Sequence, residues 1–108
     1  MQINRDKALA LWEKHYGYRT EAKDFAGRIM YKSAYGNQDS DYGWNIHHIF
    51  PVAKGGTNIE HNLVCANIET NWEAGDKINF WANGRLFSVQ KVEAINGRKA
   101  YEIFELEN

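Results

Sequence analysis

The sequence predicts an α+β fold in a single domain, and three observations carry that reading. Apolar residues recur at helical spacing near the amino terminus, the centre reads as strand, loop, strand and helix, and two Asn-Gly dipeptides punctuate β-compatible runs near the carboxyl terminus. At 108 residues the chain is long enough for one domain with one core and too short for two ordinary ones. Hydrophobic residues make up 44% of it, with four Trp, six Tyr and five Phe, so it has enough apolar surface to fold rather than stay disordered.

The elements follow in chain order. Asn4 can cap a helix from Arg5 to Tyr16, in which Ala8, Leu11, Trp12 and His15 or Tyr16 share one face, and Gly17 ends it. That face is core rather than a cofactor site. From Phe25 to Tyr35, Ile29, Tyr31, Ser33 and Tyr35 alternate against Arg28, Met30, Lys32 and Ala34, which predicts a strand. These elements make an amino-terminal unit over residues 4–35, and the polar run Gly36–Gly43 is a loop leading out of it.

The central unit spans residues 44–75. Trp44–His48 is a short strand, Pro51 forbids a helix interior after it, and Gly55-Gly56 lets the chain turn sharply. Leu63, Val64 and Cys65 form a second apolar strand. Asn67 then caps a helix from about Ile68 to Ala74, with Gly75 as its stop. Asn71 falls one turn into that helix, about 6 Å along the axis from the cap at 1.5 Å per residue. In an ideal strand His47 and His48 point to opposite faces, so both serve one site only if the backbone bends there, and the nearby Pro51 suits such a strand end.

The last unit, residues 78–106, is an antiparallel β-meander of Ile78–Ala82, Arg85–Ala94 and Arg98–Leu106. Asn83-Gly84 and Asn96-Gly97 join its strands, because both residue types tolerate the positive φ of a type I′ turn. Either parity of the final strand could be the buried one. The meander is read as scaffold first and as a substrate or partner surface second.

The run Trp-Asn-Ile-His-His-Ile-Phe-Pro-Val-Ala-Lys-Gly-Gly-Thr-Asn-Ile-Glu-His-Asn-Leu-Val-Cys-Ala-Asn-Ile-Glu-Thr-Asn from Trp44 to Asn71 resembles the core of the HNH nuclease family. The likeness covers about a quarter of the chain but joins separated positions in order, including Pro51, Gly55-Gly56 and Leu63 directly after Asn62. It implies a ββα-metal (His-Me finger) core and a metal-dependent endonuclease of phage or bacterial kind. By this resemblance His48 is the general base, and Asn62 orients it and pins the loop. His47 and Asn71 would hold one divalent metal, with water and phosphate oxygens completing its shell. Such chemistry suits these residue types. Phosphodiester hydrolysis needs a proton acceptor for the attacking water and positive charge at the phosphorane, and a neutral imidazole accepts protons near neutral pH.

Two departures from the family bear on the cofactor. Many relatives carry paired Cys-x-x-Cys motifs that hold a structural zinc, whereas this chain has one cysteine, Cys65, read as a small buried strand residue and unable to form a disulfide within a monomer. Many also carry aspartate where His47 stands. Imidazole favours Mn, Ni or Zn over Mg, so the metal's identity among Mg, Mn, Ni and Zn stays open, as in the colicin nuclease domains that share the His-His pair.

Other residues have plainer readings. His15 and His61 fit surface or hydrogen-bonded histidines, Asn58 and Asn67 fit turn or cap formers, and Gly55-Gly56 lacks the longer glycine pattern of a phosphate cradle. Net charge is −1 and the isoelectric point about 6.4, without the global basic stripe of a nucleic-acid binder. Phosphate contacts would fall to Arg19, Lys23, Arg28 and Lys32 in the amino-terminal part and to Lys54 in the central loop, although each taken singly fits a solvated surface.

The expected partner is DNA, with RNA not excluded, and a homodimer would ease double-strand cutting. No apolar stretch reaches the roughly 18 residues of a membrane span, and Met1–Asp6 does not read as a secretory leader, so a soluble cytoplasmic protein is expected with no membrane partner. The competing reading is a non-cleaving nucleic-acid- or protein-binding module on the same fold.

Overall fold

The computed structural model describes residues 3–107, so Met1 and Gln2 of the amino-terminal stretch, and Asn108, lie outside it. Helix α1 (Arg5–Tyr16) begins where Asn4 Oδ1 accepts the Lys7 amide at 2.9 Å, and ends at Gly17, whose φ of +63° suits glycine. Its inner face buries Ala8, Leu11 and Trp12.

Strand β1 (Glu21–Lys23) pairs antiparallel with β2 (Ile29–Tyr31). The strand expected over Phe25–Tyr35 is therefore corrected. Only Ile29–Tyr31 forms a strand, its partner β1 is a three-residue segment with no alternation long enough to predict it, and Lys32–Ala34 coils into a 3-10 turn. The cause is local: the Asp24 carboxylate accepts the amides of Ala26 and Arg28, both at 2.9 Å, and bends the chain through Phe25 before β2 can start. The alternation is real but short, with Met30 buried between exposed Ile29 and Tyr31.

Strands β3 (Trp44–His48) and β4 (Leu63–Asn67) form an antiparallel hairpin in unbroken register from Trp44↔Asn67 to His48↔Leu63. Helix α2 (Ile68–Ala74) follows β4 directly. Its cap is Asn67, whose Oδ1 accepts the Glu69 amide at 2.9 Å, and Gly75 closes it. The loop between the strands folds tightly, and a Cβ at Gly56 would lie 1.8 Å from the Phe50 carbonyl oxygen.

Strands β5 (Asn79–Ala82), β6 (Arg85–Ile95) and β7 (Arg98–Leu106) form the meander in that order. Asn83 and Gly84 have φ of 52° and 72°, and Asn96 and Gly97 50° and 74°, the paired positive values of type I′ turns. Along β7, Tyr101 and Ile103 pack against the meander's apolar cluster and Phe104 is exposed, but Ala100, of Phe104's parity, is buried, so neither parity is the inner one along the whole strand.

The β3–β4 hairpin is a wall between two apolar clusters. On one side Trp44 and Cys65 join Leu11 and Trp12 of α1 and Met30 of β2; on the other, Val64 and Ile49 join Phe80, Phe87 and Val89 of the meander and Ala74 of α2. Burial pushes the Cys65 thiol up to about 12, so it is an inert packing residue. Among the described residues no helix is long and apolar enough to cross a membrane.

A buried polar link ties these layers together. Asp24, only 6% exposed, accepts the Asn67 amide on Oδ2 at 3.0 Å as well as the two turn amides on Oδ1. The Asn67 side chain in turn donates to the carbonyls of Ile29 and Asp41. Asp24→Ala strands three amides, and at 1–3 kcal/mol per buried unmet group it should cost at least about 3 kcal/mol of stability. Urea unfolding measures this; a parental midpoint would mean the amides find other acceptors.

Candidate functional site

Strand β3 carries His47 and His48 to its end, and the register determines where each points. His47 pairs with Val64, whose side chain packs with the meander cluster, while His48 pairs with Leu63, which packs toward α1. The chain bends only after His48, at Ile49 and Phe50. The two imidazoles therefore leave the strand on opposite faces. The bend that would turn both to one face does not fall between them.

His47 meets α2. Its Nδ1 lies 2.7 Å from Asn71 Oδ1, and Asn71 Nδ2 donates to the Ile46 carbonyl at 3.3 Å, which sets the amide's orientation. An amide oxygen only accepts, so Nδ1 carries the proton and Nε2 the lone pair. The Phe25 ring stands 5.8 Å from the imidazole. Burial pushes the His47 pKa below the usual imidazole value, helped by His48, while the Asn71 hydrogen bond and Asp24 oppose the shift. At neutral pH the ring is uncharged, as a metal ligand must be.

His48 meets the loop. Its Nε2 lies 2.6 Å from Asn58 Oδ1, so by the same logic Nε2 donates and Nδ1 keeps a lone pair. Asn58 is a partner that the sequence does not single out. It reads as an ordinary turn asparagine, and only closure of the loop carries it back to β3.

Asn62 performs that closure. Its Oδ1 accepts the Phe50 amide at 2.8 Å, and its Nδ2 donates to the carbonyls of Phe50 and Thr57 at 3.1 and 2.9 Å. Asn62 is buried, and it pins the loop as expected, but the amide in contact with His48 is that of Asn58.

The basic residues divide. Arg28 is committed to α2: its Nη1 donates to Glu73 and to Thr70 Oγ1 at 3.1 Å, with Glu69 3.7 Å from its Nε. Lys32 is paired with Glu13 at 3.0 Å. Arg19, Lys23 and Lys54 are exposed and make no salt bridge among the described residues. Two of the five residues expected to face phosphate are thus already neutralised by carboxylates.

Among the described residues no group of three or more His, Cys, Asp or Glu assembles into a metal cluster. The pair His47 and Asn71 does fit two neighbouring positions in a metal's shell. An imidazole nitrogen and an amide oxygen already stand 2.7 Å apart. Ligands on an ion with bonds of about 2.1 Å stand roughly 3.0 to 3.4 Å apart, so to hold one the pair would open by a few tenths of an ångström and the ring proton would sit on Nε2 instead of Nδ1.

Compared with family models, curated proteins and solved structures, the chain gives no match in any of the three.

The depressed pKa of His47 makes stability depend on pH. The unfolded chain takes up the histidine proton near the ordinary value of 6.5, before the folded chain does, so the contribution is complete above that value and is lost as pH falls toward the lower folded one. Urea unfolding with a chelator present, between about pH 5 and 8, should show stability declining on the acid side, and His47→Asn should flatten that limb. An unchanged limb in the variant would assign the titration to another group.

Proposed function

We propose that the chain is a metal-dependent endonuclease of the HNH type, hydrolysing phosphodiester bonds in DNA on a ββα-metal unit formed by β3, β4 and α2. One observation carries this reading. Two consecutive histidines each meet an asparagine oxygen on a hairpin that runs straight into a helix, and for the second this fixes the tautomer that leaves Nδ1 free. A packing role alone requires neither the second imidazole nor its fixed tautomer.

His48 is the general base. With Nε2–H held by Asn58, the Nδ1 lone pair accepts the proton of the attacking water, and the Asn58 bond strengthens as the ring becomes cationic. Asn58 thus takes the orienting role, and Asn62 serves it at one remove by closing the loop. A divalent ion, Mg, Mn, Ni or Zn, held by His47 and Asn71 would supply positive charge to the phosphate oxygens. Because the two imidazoles leave opposite sides of the strand, the substrate must lie across the strand end to engage both.

The second reading, a non-cleaving nucleic-acid- or protein-binding module, is favoured by the internal pairing of Arg28 and Lys32 in a chain of net charge −1. Supercoiled plasmid incubated with the purified protein and each of the four ions separates the two. Under the nuclease reading the parent relaxes or linearises the plasmid and a chelator stops it. His48→Ala should then lower the rate about 10² to 10⁴-fold. A variant within a few-fold of the parent would remove His48 from the base role, and no cutting with any ion would favour the binding module.

A further inference from the structure

We propose that the cleft between the β3–β4 loop and the start of β7 is a phosphate subsite, occupied by a backbone phosphate flanking the bond attacked at His48. This inference rests on the nuclease reading above. The cleft holds about 310 Å³, and its lining includes Phe50, Lys54, Thr57, Asn62, Lys99 and Tyr101. Two lysines and no carboxylate line it, although the chain as a whole has slightly more acidic than basic residues. Neither lysine makes a salt bridge among the described residues, in contrast to Lys14, Arg28, Lys32 and Arg85. An excess of unneutralised positive charge within a concave wall attracts an anion, and the phosphodiester is the anion this reading supplies.

The two lysine-bearing walls are fastened together. Phe50 stacks flat on Tyr101 with ring centroids 4.0 Å apart, joining the loop to β7. The His61 ring nitrogen donates to the Lys99 carbonyl at 3.1 Å, and Asn62 holds both Phe50 and Thr57. Thr57 adds a hydroxyl whose proton is available to a phosphate oxygen. The next residue is Asn58, the partner of His48, so an anion in the cleft sits on the same loop that orients the base. Lys99 is new to the nucleic-acid contacts expected from the sequence, and it gives the meander a part in substrate binding.

The test uses the full chain carrying His48→Ala, so that nothing is cut, and a labelled DNA duplex titrated with salt. Each phosphate neutralised contributes roughly 0.9 to the slope of log affinity against log salt. Lys54→Ala and Lys99→Ala should each flatten the slope by about that amount, Lys99→Arg should restore it, and Arg5→Ala, on exposed α1 surface, should leave it unchanged. A parental slope and affinity in Lys99→Ala overturns the subsite. If the unmodified protein still cuts plasmid in that case, the nuclease reading stands alone. If it neither cuts nor binds duplex at low salt, that reading fails and the subsite fails with it.

Discussion

A carboxylate buried without a cation is tolerable only when donors surround it, and Asp24 meets that requirement with backbone amides alone. Two come from its own turn and the third from Asn67, so one side chain joins the amino-terminal hairpin to the end of β4. Asn67 extends the link to Ile29, Asp41 and the first turn of α2, while the Ile68 amide bonds to the Gly43 carbonyl at 3.0 Å. The start of α2 is thereby fixed by three separate segments. Asn71, one turn further on, meets His47 because of it.

Two identical side chains at consecutive positions thus acquire different surroundings. His47 is 5% exposed, uncharged and coupled to a helix; His48 is half-buried and coupled to a loop. Asparagine is the common partner, and its amide oxygen selects a tautomer without adding charge. The nearby guanidinium of Arg28 is spent on the glutamates of α2. Lys54 and Lys99, which make no salt bridge among the described residues, line one cleft instead.

What was legible in the sequence is what short-range chemistry decides. The caps Asn4 and Asn67, the stops Gly17 and Gly75, the Asn-Gly turns and the β3 and α2 boundaries each depend on a few neighbouring residues, and each formed as read. The α+β class was legible for the same reason. The strand expected over Phe25–Tyr35 fails because the alternating pattern continues through a turn and a 3-10 segment, while the Asp24 carboxylate that breaks it draws its third amide from 43 positions away. Asn58 looked like any loop asparagine because its contact depends on closure by Asn62. The engagement of Arg28 was hidden for the same reason, its partner Glu73 lying 45 positions along the chain.

Every strand in the described molecule pairs with its neighbour in sequence, giving three separate sheets and no crossover. Such local pairing keeps loop-closure entropy small, so each hairpin can form without waiting for the others. The bonds that must wait are the polar ones between units: Asp24 to Asn67 across 43 positions, Asn83 to the Ala26 carbonyl across 57, and Arg85 to that same carbonyl across 59. The order of assembly this favours is hairpins first and polar cross-links last. Asn71 reaches His47 across only 24 positions within the β3–β4–α2 unit, so that pair can form before the longer cross-links that then fix where the unit sits.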